Sequence, residues 1–144
     1  MLEGKWKGKY TYGKGYGKGL AGRVVEFVID LTINDDEVRG YCQDIGEIEE
    51  AFEKPAVIEG KFMQGKIVFT KRYPGRLVVD EKNIYVYSDL PSADVIYQGV
   101  LKTKLIYRKL FFAGTWKIKS QSYTENDKEV LVEYEGTWKM EKEL

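Results

Sequence analysis

From Val130 to Met140 the chain alternates without a break. Val130, Val132, Tyr134, Gly136, Trp138 and Met140 fall on one face, and Leu131, Glu133, Glu135, Thr137 and Lys139 on the other. A helix has no use for a period of two, whereas a strand with one buried face requires it. The start of the chain repeats the pattern, with Gly4, Trp6, Gly8, Tyr10 and Tyr12 set against Lys5, Lys7, Lys9 and Thr11. A second segment sets Val25, Phe27, Ile29, Leu31 and Ile33 against Val24, Glu26, Val28, Asp30 and Thr32. Further alternating stretches lie near 37–44, 55–63, 66–73, 76–80, 84–88, 94–101 and 110–121, which makes ten strands. The one stretch that reads as a helical turn is Glu47 to Glu53. The pattern predicts an all-β protein.

The connections say how the strands are joined. Short polar turns follow the second, fourth and sixth strands: Asn34-Asp35-Asp36, Gln64-Gly65 and Glu81-Lys82-Asn83. Longer segments follow most odd-numbered strands: the glycine-rich Tyr12 to Gly22, the acidic Ile45 to Lys54, and Asp89 to Ala93. The tight Pro74-Gly75 and the segment Lys102 to Lys109 depart from this trend. Strands joined in sequence by hairpins make an up-and-down meander. A long meander with one apolar face removes its edges most simply by closing. The expectation is a single antiparallel up-and-down β-barrel of about ten (eight to ten) strands, lipocalin-like, forming one domain over 1–144, with tight turns at one end and loops at the other.

Composition removes several function classes. The 144 residues hold 23 Lys/Arg and 23 Asp/Glu, so no basic excess favours nucleic acid or an anionic membrane. The absence of histidine excludes His-ligated haem, His-containing zinc sites and every His-based triad. The single cysteine, Cys42, excludes an intramolecular disulfide. No apolar run approaches the ~20 residues that span a bilayer, and Met1 to Lys5 carries no apolar leader, so a cytoplasmic location is expected. No cofactor and no metal are expected.

Three Gly-x-Trp elements are the most specific pattern: Gly4-Lys5-Trp6, Gly114-Thr115-Trp116 and Gly136-Thr137-Trp138. A hairpin centred on Asp127 would make Trp116 and Trp138 direct cross-strand neighbours, each eleven residues away. Closure against the first strand would bring Trp6 to the same end. Trp6, Trp116 and Trp138 are therefore expected as a structural plug at one level. Each would have room because the glycine two residues earlier permits close approach. With that end sealed, a ligand would enter from the loops.

These residues resemble those of the calycin-like barrels: lipocalins, fatty-acid-binding proteins, avidins and nitrobindins. Lipocalins and their relatives carry a Gly-x-Trp on the first strand at the closed end, as Gly4-Lys5-Trp6 does. Phe112-Ala113-Gly114-Thr115-Trp116-Lys117 is similar to the opening of a fatty-acid-binding protein, although it lies near the C-terminus. The chain as a whole resembles small bacterial barrel proteins that open with Gly-Lys-Trp-Lys-Gly and close with Gly-Thr-Trp. The resemblance implies a container and not its contents. The haem histidine of nitrobindins is missing, and Glu133-Tyr134-Glu135 stands where fatty-acid-binding proteins have an Arg-x-Tyr. The lipocalin Thr-Asp-Tyr turn is also absent, and no avidin biotin contact has a counterpart here.

Following the inward parity to the loop-rich end gives candidate ligand-binding residues Tyr10, Tyr12, Val25, Cys42, Asp44, Lys71, Tyr73 and Tyr97, with Tyr123 beside them. Aromatic walls with a few convergent polar groups suit a small-molecule site. Lys71 shares the apolar parity of Ile67, Phe69 and Tyr73. It either pairs with Asp44 or an anionic ligand group, or reaches past the rim to water. Cys42 reads as a small buried hydrophobe. The acidic Glu47 to Glu53 reads as a solvated loop or a frayed helical turn, the Gly13 to Gly19 run as a flap, and the Lys5, Lys7 and Lys9 row as a solvated face.

The expected function is non-catalytic binding of a small apolar or amphipathic ligand by a monomer or dimer. The alternatives are a filled barrel serving as a protein-interaction module and, by analogy alone, an isomerase or decarboxylase with Asp44 and Lys71 in acid–base roles.

Overall fold

The alternating stretches form ten strands: β1 Gly4–Tyr12, β2 Val24–Asn34, β3 Glu37–Asp44, β4 Ala56–Met63, β5 Lys66–Arg72, β6 Arg76–Val79, β7 Ile84–Tyr87, β8 Val95–Lys104, β9 Lys109–Glu125 and β10 Lys128–Lys142. A computed structural model of the chain describes residues 2–14, 21–46, 54–79, 84–87, 92–104, 109–126 and 128–142. Glu47 to Glu53, Glu81-Lys82-Asn83 and much of the Gly13 to Gly19 run lie outside the described residues, as does the Tyr123 side chain. Among the described residues no helix is long and apolar enough to cross a membrane.

Eight strands close in the order β1-β10-β9-β8-β5-β4-β3-β2, antiparallel throughout. Eight lies within the expected range. The other two, β6 and β7, pair with each other as a separate two-stranded sheet, so β5 passes its ladder directly to β8. Burial follows the parity read from sequence. The inward set is Trp6, Tyr10 and Tyr12 on β1; Phe27, Ile29 and Leu31 on β2; Val38, Cys42 and Asp44 on β3; and Ile67, Phe69 and Lys71 on β5. An eight-stranded barrel is just wide enough for side chains to fill, or to hold one small ligand.

Tight turns gather at one end. Gln64 and Gly65 both take positive φ (52° and 78°), the type I′ pattern whose twist matches that of the strands it joins. Asp35, at φ 55°, turns β2 into β3 at the same end. The opposite end receives the close of β1, β3 and β5 and the start of β2, β4 and β8. Two ladders stop early there: β8 leaves β9 at Ile118, and β1 leaves β10 at Gly136. The β9–β10 pairing continues to Glu125 and Lys128, so a two-stranded ribbon extends from the loop-rich end.

The three indoles point inward as expected, but they are not neighbours at one level. Trp116 pairs with Gly136 and Trp138 with Gly114. Two displacements add up. The turn pairs Glu125 with Lys128, which moves the hairpin centre half a residue from Asp127, and a bulge between Val132 and Tyr134 shifts the register again. Each Trp therefore faces the other's glycine. A Cβ on Gly136 would lie 2.5 Å from Trp116 Cε2, and one on Gly99 would lie 2.6 Å from Trp138 Cζ2. The glycine that makes room for Trp116 thus stands on the adjacent strand β10, and the one that makes room for Trp138 stands on β8, two strands away, rather than two residues earlier on the same strand.

The aromatic rings stack along the lumen instead of stoppering its base. Trp6 packs on Phe112 at 5.1 Å, and Phe112 packs on Trp138 at 6.4 Å. Phe69 and Tyr97 flank Trp138 at 5.6 and 5.5 Å. Trp116 sits higher, edge-on to Tyr10 and Tyr12 at 6.0 Å each. Each indole N–H finds a carbonyl: Trp6 donates to Leu2, Trp116 to Thr11, and Trp138 to Gln98 and Thr115. These bonds satisfy donors that would otherwise be costly to bury.

Candidate functional site

The lumen turns polar just below the loop-rich end. Asp44 closes β3 on its inward parity, and Lys71 stands next to last on β5, two strands away. Inside a barrel that narrow, both side chains must meet in the middle. Lys71 Nζ lies 2.7 Å from Asp44 Oδ1, and each side chain is 1% exposed. Of the two readings open for Lys71, pairing with Asp44 is the one realised; the ammonium does not reach past the rim.

The remaining acceptor positions of Asp44 are filled from other strands. The Tyr10 hydroxyl donates to Oδ2 at 3.2 Å and the Tyr73 hydroxyl to the same oxygen at 2.5 Å. The Cys42 thiol lies 3.9 Å from Oδ1. Lys71 Nζ is boxed by aromatic rings, 4.7 Å from the centroid of Tyr73, 4.9 Å from Tyr10, 5.8 Å from Tyr97 and 6.0 Å from Phe27. Such faces offset part of the hydration that a buried ammonium loses. Among the described residues no buried side-chain nitrogen or oxygen lacks a hydrogen-bond partner.

Five of the eight candidates, Tyr10, Cys42, Asp44, Lys71 and Tyr73, thus form one contiguous polar centre. Tyr12 adjoins it, edge-on to Tyr10 at 5.8 Å. Tyr97 stacks on Phe69 at 4.8 Å and contributes a face to the ammonium. Val25 stands opposite Tyr10 in the β1–β2 ladder and is half-buried against the core, nearer the mouth than the ion pair. Sequence reasoning missed two members. Phe27 stacks on Tyr10 at 6.1 Å, and Trp116 walls the site instead of sealing the far end. The inward parity of both was legible; their depth depended on register.

Tyr73 also ties the centre to the excursion between β5 and β8. Its backbone N–H donates to Ser92 Oγ at 3.0 Å, and the exposed pair Arg72–Asp94 closes the same neck at 2.8 Å.

Burial and charge set the protonation of these groups. Burial works against the Lys71 ammonium, but the Asp44 carboxylate, helped by Cys42, Tyr97 and Tyr10, holds its pKa well above the ordinary lysine value. Burial raises Tyr10 and Tyr73 well above the usual phenol range, with Tyr73 and Asp44 respectively adding to the effect. Burial also raises Tyr12 and Tyr97, and pushes the Cys42 thiol up to about 12. The centre therefore holds one ammonium, neutral phenols and a thiol that is not a nucleophile near neutrality.

The consequence for stability has a definite sign. A group whose folded pKa is raised keeps its proton when the unfolded chain has lost it, so stability falls with rising pH. Unfolded Cys titrates near ~8.5 and Tyr and Lys near ~10, so the loss begins there and continues through the folded values. The urea midpoint should show no loss from these groups at neutrality and should fall steeply above about pH 10. A flat midpoint well beyond that pH would contradict the buried arrangement.

Among the described residues no three Cys, Asp or Glu side chains gather to hold a metal ion.

Fold and centre together define a closed, eight-stranded, up-and-down antiparallel barrel with an aromatic-walled ion pair under its loop-rich mouth. No protein-family model and no curated protein matches the chain. Among solved structures, rhizavidin aligns with 93% of this chain and 81% of its own, at 10% identity and a TM-score of 0.48. Short afifavidin, solved with biotin, aligns with 93% of this chain and 87% of its own, at 10% identity and a TM-score of 0.43.

Proposed function

We propose that this barrel binds a small, partly apolar molecule at its loop-rich mouth and catalyses no reaction on it. The observation that carries this reading is the aromatic wall of Tyr10, Tyr12, Tyr73 and Trp116 around a charged floor at the end where the loops converge. Rings supply apolar contact area, and the phenols and the ion pair below orient the polar end of a ligand. The lower lumen is occupied by Trp6, Phe112, Trp138, Phe69 and Tyr97 in contact with one another, so the ligand belongs above the ion pair. The protein acts in the cytoplasm as a monomer or dimer and uses no cofactor.

Native mass spectrometry of the protein purified from its own host tests this. A retained non-protein mass is expected, and it should be lost in Val25→Trp, which fills the mouth from a half-buried position without touching the ion pair. A bare polypeptide mass from its own host would sink the reading.

A second reading, a filled barrel serving as an interaction module, draws on the outer face of β2, β3 and β4. Tyr41 is 60% exposed there opposite the exposed Val57, and with the exposed Ile45 it lines a cleft of about 380 Å³. The same spectrum distinguishes the two, since this reading expects a dimer or larger complex and no small molecule.

A further inference from the structure

Around Asp44 the donors converge as they would on the carboxylate of a bound molecule. Lys71 Nζ reaches Oδ1 at 2.7 Å, while the Tyr10 and Tyr73 hydroxyls reach Oδ2 at 3.2 and 2.5 Å. The backbone of each of the three is fixed without Asp44. Tyr10 is laddered to Val25 on one side and Trp138 on the other, and Lys71 to Ile58 and Val95. Tyr73 follows directly on β5 and is fixed by its backbone bond to Ser92. Rings within 4.7–6.0 Å of Nζ contact the ammonium in addition to its anion.

We propose that Lys71, Tyr10 and Tyr73 form a carboxylate-binding site that the chain occupies with its own Asp44, and that shortening Asp44 opens this site to a small external monocarboxylate. Asp44→Ala removes one carboxylate group, close in size and charge to a formate ion, and leaves the methyl stub on β3. The variant then holds a buried ammonium that has lost its carboxylate and two phenols that have lost the oxygen they donate to, a state that any small carboxylate able to enter would relieve. A charge-assisted bond to the ammonium and two phenol bonds are the interactions Asp44 makes in the wild type. This inference stands apart from the ligand proposed for the mouth, and neither depends on the other.

Thermal unfolding of the wild type and of Asp44→Ala in sodium formate and in sodium chloride at matched ionic strength tests it. Formate should raise the Tm of Asp44→Ala saturably, by roughly 5 °C over chloride. The wild type should respond alike to both salts, because its site is filled. The double variant Asp44→Ala/Lys71→Met should lose the formate response, because the ammonium is gone. If Asp44→Ala does not fold in chloride, its refolding from urea in formate decides the matter: recovery in formate alone supports the site, and recovery in neither salt overturns it. Equal formate responses in wild type and Asp44→Ala, or a response that survives in the double variant, would also overturn it.

Discussion

Lys71→Met is expected to destabilise the protein by roughly 3–5 kcal/mol, because it removes one partner of a buried ion pair and strands the other. Methionine keeps most of the apolar stem and loses the charge, so packing changes little and electrostatics dominate. Asp44 would remain with two phenol donors and no cation, 3% exposed in a lumen of aromatic rings. The double variant Lys71→Met/Asp44→Asn should recover most of the loss. An uncharged amide still offers an oxygen to Tyr10 and Tyr73, and no buried charge remains. Urea unfolding of the four proteins closes the cycle, and a large favourable coupling between the two sites is expected. A single Lys71→Met variant within about 1 kcal/mol of wild type would mean that water reaches the pair and screens it.

Gly136→Ala should cost roughly 3 kcal/mol or more, above the usual range for one added methyl in a packed interior. The new Cβ would lie 2.0 Å from the Thr11 carbonyl oxygen and 2.5 Å from the Trp116 ring. A flexible side chain could yield, but Thr11 belongs to the β1 ladder and cannot move without opening the seam that closes the barrel. Gly114→Ala should behave alike, since its Cβ would lie 1.8 Å from the Gln98 oxygen. Gly65→Asn is the contrast. Nothing lies within 4 Å of a Cβ there, the φ of 78° is one asparagine tolerates, and the expected loss is below about 1 kcal/mol. Thermal unfolding ranks the three directly, and a Gly136→Ala protein as stable as Gly65→Asn would contradict the packing of Trp116 against Gly136.

Much of the candidate site was legible as parity. Tyr10, Tyr12, Cys42, Asp44 and Lys71 were assigned inward because their strands alternate, and all five are buried. What parity cannot supply is register. Moving one strand two residues along another leaves every side chain on its own face, so the error in pairing Trp116 with Trp138 was invisible to the alternation that placed both rings inside. The bulge near Glu133 is a local insertion with no signature in that pattern. The same blindness hid Trp116 from the site and gave it to the base of the barrel. The β6–β7 excursion was missed for a related reason: two short alternating runs look the same whether they join the barrel or pair with each other.

The amino-acid sequence alone determined the class of structure and the face on which each side chain lies, because a strand's period of two is a property of its own backbone. It also confined the chemistry, since a chain without histidine has no imidazole to offer wherever it folds. Tertiary structure decided the rest. Asp44 and Lys71 stand 27 residues apart and meet only because β3, β4 and β5 are laddered in one register around a closed lumen. Whether Lys71 faced water or a carboxylate was settled by the width of that lumen and by the four rings that leave its ammonium no other place to go.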